Sequence, residues 1–287
     1  MENYDVLMEK TNQVQEDHFD KEAWVESKKQ EREKAYAQID DMTEKVFSNP
    51  AVFNQYLNMQ ANMGKMRAAN TLLVMEQKPN ATYVKTFDEW KERGRSVKKN
   101  QTGIRVLEAN GEYMRDDGSV AMGYDVARVF DISQTHGKVI SQRATNSMPL
   151  KSKLKALMTG TSVPVKLSDS VSQEVGAQYS QDTEVVEVAR GLDGDKLFYC
   201  IARELARADE GLNLDTFGCH NAAAIACKRF GIAAPAIDKL PELFGEMEPQ
   251  EKRAVLNDIR EAACDTVERV DNTLYAELRK QKTQPAR

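Results

Sequence analysis

A chain of 287 residues, 41% hydrophobic and 30% charged, is long enough for two domains with their own cores and too apolar for a disordered tail. Its formal net charge of −5 argues against a protein that coats nucleic acid with its whole surface, though not against one basic face. No apolar run of bilayer length and no export signal is visible, so the expected location is cytoplasmic, without membrane contact. Four cysteines without a C-x-x-C pair read as reduced packing residues, not as a disulfide framework.

In chain order, residues 20–46 carry sparse apolar positions among Glu, Lys and Gln and read as one long, mostly exposed helix. Asn49-Pro50 is a helix start, with Asn at the cap and Pro at the first helical position. Val52, Phe53, Tyr56 and Leu57 then share one face at core spacing. A break near Gly64 sets Lys65 and Arg67 ahead of a second helical run over 68–75, and Pro79 stops what precedes it. Thr86 and Glu89 form a capping box, and Gly94 suits the left-handed position past that helix. Residues 104–108 and 124–132 are strand-rich. The turn formers Asn110-Gly111 and Asp116-Asp117-Gly118 lie between them, which predicts two or three antiparallel strands with a small hairpin excursion.

A polar, aperiodic stretch then marks a linker. Beyond it the pattern predicts a short helix after Pro149, strands over 163–167 and 184–189, and a helix over 195–208. A helix with Cys219, His220 and Cys227 follows, then a long amphipathic helix over 249–280. The expected organisation is α+β: a helical arm (1–47), a small α+β domain (48–137), a linker (138–148) and a second α+β domain (149–287).

Charge is concentrated in the first domain. Between Lys85 and Arg105 the basic residues are Lys85, Lys91, Arg93, Arg95, Lys98, Lys99 and Arg105, against Asp88, Glu89 and Glu92. This is either a solvated cap and lysine turn or a phosphate-contacting edge, with Trp90 available for base stacking. Charge alone does not separate the two, and a lone Trp between charged residues also fits a core anchor.

A family resemblance bears on that choice. The run Asn70-x-Leu72-Leu73…Gln77-x-Pro79-x-Ala81-Thr82…Trp90…Gly94-Arg95-x-Val97-x-Lys99…Gly103-Ile104 resembles the N-terminal signature of ArdC-type antirestriction proteins, as does Val129-Phe130-Asp131-Ile132-Ser133-Gln134-Thr135. The resemblance covers residues 50–136 and, more loosely, 150–232. Such proteins are encoded on conjugative plasmids, integrative elements and phages. Their N-terminal domain binds single-stranded DNA, and a zincin-like metallopeptidase domain follows. The resemblance implies single-stranded DNA as partner. The residues expected to track its backbone are Lys65, Arg67, Lys85, Arg93, Arg95, Lys98, Lys99 and Arg105, with Trp90 or a tyrosine stacked on a base.

Zincins use H-E-x-x-H, which sets two imidazoles on one helix face to hold Zn²⁺ beside a glutamate base. The corresponding segment here is Arg203-Glu204-Leu205-Ala206-Arg207. Both histidines are arginines, whose guanidinium has no lone pair for a cation. The expectation is a degenerate cleft formed by Arg203, Glu204 and Arg207, with no cofactor, no metal and no catalysis. Two alternatives stay open. One is a metallopeptidase with non-standard ligands, for which Cys200, Cys219, His220 and Cys227 can be proposed. The other is a protein-interaction module that inhibits a host restriction or defence nuclease.

Overall fold

A computed structural model of the chain describes residues 20–115, 117–140, 144–209 and 214–283. Residues 1–19 of the expected arm and Asp116 of the expected turn lie outside these. The fold is mixed α and β, as expected.

Helix α1 (Lys21–Ser48) starts where Asp20 accepts the Ala23 N–H. It is less exposed than its composition suggests. Ala35, Ile39, Met42 and Val46 recur at helical spacing and are buried. Helices α2 (Pro50–Met63) and α3 (Ala68–Gln77) pack beside it, α2 capped by Asn49 and ended by Gly64 at φ 60°.

The front sheet has the order β1-β4-β3, from β1 (Val84–Lys85), β3 (Ile104–Met114) and β4 (Val120–Asp131), all antiparallel. In place of a small excursion, β3 and β4 form one long ribbon. Asn110-Gly111 is a register irregularity within it, not a turn. Between β1 and β3 lie α4 (Phe87–Glu92), capped by the predicted Thr86–Glu89 box, and β2 (Arg95–Val97). Strand β2 pairs antiparallel with β5 (Thr135–Gly137), so the expected linker begins right after a strand.

The rear half holds α5 (Leu150–Leu157) and a sheet of order β6-β8-β7. Strand β6 (Val165–Ser168) runs parallel to β8 (Val185–Ala189), and β7 (Ala177–Ser180) is the antiparallel edge that the sequence pattern did not reveal. Helices α6 (Gly194–Arg207), α7 (Thr216–Phe230) and α8 (Pro249–Thr283) follow.

The described residues form two buried clusters. One belongs to the rear half, built from α5, α6, α7 and the rear sheet. The other joins α1, α2, α3 and the front sheet to Cys219, Ile225, Leu256 and Ile259 of α7 and α8. The two halves therefore share apolar packing. Two ion pairs reinforce it: Lys252 with Glu44 at 2.7 Å, and Arg253 with Asp40.

Candidate nucleic-acid interface and the rear cleft

The front interface is organised by Asp131, whose carboxylate accepts the N–H groups of Thr82 (2.7 Å), Tyr83 (3.0 Å) and Ser133 (2.9 Å). Burial opposes its ionisation, but these donors and the Ser133 hydroxyl outweigh burial and hold its carboxyl below the ordinary range. Asp131 thereby fixes where the chain turns from β4 into β5. The β2–β5 register then places Arg95 opposite Gly137, Ser96 opposite His136 and Val97 opposite Thr135. Gly137 sits at φ 128°, and a Cβ there would come within 2.5 Å of the Gly94 carbonyl. Only glycine allows so close an approach.

The expected nucleic-acid residues divide into two groups on this frame. Trp90 is fully buried and donates its indole N–H to the Phe130 carbonyl at 2.8 Å, with Tyr83 edge-on. It is a core anchor, and the expectation that it stacks on a base is corrected. Arg95 is engaged with the protein. It donates to the Thr135 hydroxyl at 2.8 Å and to the carbonyls of Thr135 and Lys138, and its guanidinium lies 5.8 Å from the Trp90 ring centre. Lys85 pairs with Glu89 at 2.8 Å, Lys65 with Glu268, and Arg105 donates to Gln38 at 3.1 Å. Arg67 donates to the Tyr124 hydroxyl and stacks over that ring.

Lys65 and Arg67 stay exposed beside these partners, and a short exposed lip lies along β2. Arg93, Lys98 and Lys99 lie on it, with Lys98 reaching the Ser133 carbonyl at 2.9 Å. Strand pairing adds His136 and Lys138 beside them, both exposed. Sequence reading missed these two because they sat in what looked like the approach to a linker. The clue was β-branched Thr135 just before them, facing the β2 alternation.

In the rear cleft the three singled-out residues do meet. Glu204 is 3% exposed. Its carboxylate accepts from Arg203 at 2.6 Å and from the Tyr179 backbone N–H at 3.0 Å, and forms an ion pair with Arg207 at 3.3 Å. Arg203 also donates to the carbonyls of Val175 (3.1 Å) and Ala177 (2.7 Å). These groups alternate along the outer edge of β7, where a further strand would otherwise pair. Side chains of α6 thus occupy that edge.

Beside it opens a cavity of about 470 Å³ lined by Tyr199, Cys200, Arg203, His220, Lys196 and Glu174, among others. The Tyr199 hydroxyl lies 2.6 Å from His220 Nδ1. Burial raises the Tyr199 phenol to about 12, so it keeps its proton, and its hydroxyl and His220 Nδ1 are hydrogen-bonded to each other. Burial, then the charges of Arg203 and Arg207, lowers the His220 imidazole below 6.5. The thiols of Cys200, Cys219 and Cys227 are raised by burial. This donor set does not fit a metal ion: guanidinium groups face the carboxylate, the thiols resist ionisation, and His220 Nδ1 is taken. Among the described residues no group of three or more His, Cys, Asp or Glu is placed to hold one.

Residues 29–129 match the sequence profile of the family described as the N-terminal domain of anti-restriction factor ArdC. Two crystal structures of the antirestriction ArdC protein from the R388 plasmid are similar in fold. The metal-free one has a TM-score of 0.49 and 13% identity, covering 83% of this chain and 98% of that one. The Mn(II)-bound one has a TM-score of 0.48 and 14% identity, covering 82% and 97%. No curated protein matches the chain. Over residues 29–129 the chain therefore belongs to the ArdC-type family, carrying its N-terminal domain.

Proposed function

We propose that this protein is an ArdC-type antirestriction protein of a mobile element or phage that binds single-stranded DNA through its front half, with a rear half that has become non-catalytic. The observation that carries this reading is the lip made by β2 and β5. There Arg93, Lys98, Lys99 and Lys138 stand exposed along one edge, while the neighbouring Arg95 is spent on holding the edge together. A row of exposed cations on a rigid edge follows a polyphosphate backbone, and its grip weakens steeply with salt. For the rear half, the buried Glu204 carboxylate is shared between two guanidinium groups and the Tyr179 N–H, so both its oxygens are engaged by the protein and neither is left to act as a general base.

The test is a titration of a labelled single-stranded oligonucleotide at low and moderate salt, alongside a duplex of the same length. Binding that favours the single strand, weakens with salt and is lost in the Lys98→Glu/Lys99→Glu variant is the expected result. Absence of binding at low salt, or indifference to that double substitution, sinks the reading.

A further inference from the structure

The β3–β4 ribbon continues well beyond the front core, and residues 108–113 of β3 are exposed. Within it Gly111 pairs directly with Gly123. Two glycines facing each other leave a window of bare backbone in a sheet, which is where a ligand can approach the main chain closely. A Cβ on Gly111 would meet nothing within 4 Å, while one on Gly123 would come within 2.3 Å of Asn110 Oδ1. The window is therefore open over Gly111, while the Asn110 amide lies over Gly123.

Three tyrosines surround it. Tyr113 and Tyr36 are 52% and 44% exposed, and Tyr124 is half-buried. Together with Arg32 and Glu112 they line a groove of about 490 Å³ between the ribbon and α1. Burial, then the proximity of Tyr124 and Tyr113, raises the Tyr36 phenol above its ordinary value. The hydroxyl of Tyr124 is held by Arg67, whose guanidinium lies 5.6 Å from that ring's centre. That ring is held in place before any ligand arrives.

We propose that this groove is a nucleobase subsite, a claim that rests on the single-strand reading above and extends it. One unpaired base lies flat over Gly111 against the exposed faces of Tyr113 and Tyr36. Its polar edge meets the Asn110 amide, which lies over Gly123. Aromatic rings stack on any base. From Ile104, in the front core, to Gly111 is roughly 23 Å at about 3.3 Å per residue, so the subsite stands well out along the ribbon.

The experiment compares a labelled twelve-nucleotide deoxyoligonucleotide with an abasic chain of the same length and charge, at low salt, by fluorescence anisotropy. The wild-type protein should prefer the intact oligonucleotide by about fivefold or more, the worth of one stacked base. The Tyr36→Ala/Tyr113→Ala variant, its fold checked by thermal denaturation, should lose that preference. Its affinity for the abasic chain and its salt dependence should not change. Equal wild-type binding of both oligonucleotides, or a preference that survives in the variant, overturns the subsite and leaves the lip intact. Failure of both oligonucleotides to bind overturns the single-strand reading and the subsite with it.

Discussion

The side-chain amide of Gln77 completes the free edge of the front sheet: it accepts the N–H of Arg105 at 2.9 Å and donates to that residue's carbonyl at 3.0 Å. Asn70, two turns earlier on α3, does the same for Leu107 at 2.8 Å in both directions. Two amides on one helix face thus stand in for a fourth strand and keep the edge from pairing elsewhere. Gln77→Glu keeps the acceptor but loses the donor at neutral pH. It should lower stability by about 1–3 kcal/mol, the cost of a carbonyl left unpaired. Denaturant unfolding measures this, and an unchanged midpoint would mean the amide is not what closes the edge.

Glu204 makes a second prediction. Removing one member of a buried ion cluster leaves the others uncompensated, which costs about 3–5 kcal/mol for a fully buried pair. Arg203 is 13% and Arg207 36% exposed at the side chain, so both can regain some water and the lower end applies. Glu204→Ala should therefore lower stability by about 3 kcal/mol and raise amide exchange at Tyr179. Wild-type exchange and melting in that variant would show that the carboxylate does not hold the edge of β7.

The contrast between these sites explains what could be read from sequence. Capping boxes, helix stops and the α3 run are local rules, and Thr86, Glu89, Asn49 and Gly64 lie where those rules put them. Trp90 and Arg95 were ambiguous because their use depends on Phe130 and Thr135, forty residues away. Strand β7 was missed because Ala177-Gln178-Tyr179-Ser180 has little β-branching, and its outer edge is satisfied by α6 side chains that no local pattern reveals. The meeting of Arg203, Glu204 and Arg207 was legible, since one helical turn brings them together. That they turn inward onto β7 was not.

His220 supplies a pH prediction. Its imidazole is held below 6.5 by burial and by the two arginines, so the folded protein takes up its proton less readily than the unfolded chain. Above 6.5 the ring is neutral in both states and contributes no pH dependence. As pH falls through 6.5 towards the lowered folded value, the unfolded chain binds the proton first and stability declines. The melting temperature should therefore drop below about pH 6.5, and His220→Gln should flatten that part of the curve. A variant whose melting temperature falls as steeply as wild type on acidification from neutral pH assigns the decline to other groups.

Arg95 and Lys99 lie four residues apart on the same lip yet should fail in opposite ways. Arg95→Gln removes charge-assisted donors to Thr135 and Lys138, each worth about 1.5–3 kcal/mol, so it should lower the melting temperature. Lys99 is exposed and holds no comparable hydrogen bond among the described residues, so Lys99→Gln should leave melting unchanged. Its effect should appear in the salt dependence of single-strand binding. The slope of log affinity against log salt should shrink by about 0.7 for each phosphate that is no longer neutralised. Lys98→Gln and Arg93→Gln should each add a similar decrement, because separate exposed cations neutralise separate phosphates. A slope that stays at the wild-type value in the triple variant places the polyphosphate-binding surface somewhere other than this lip.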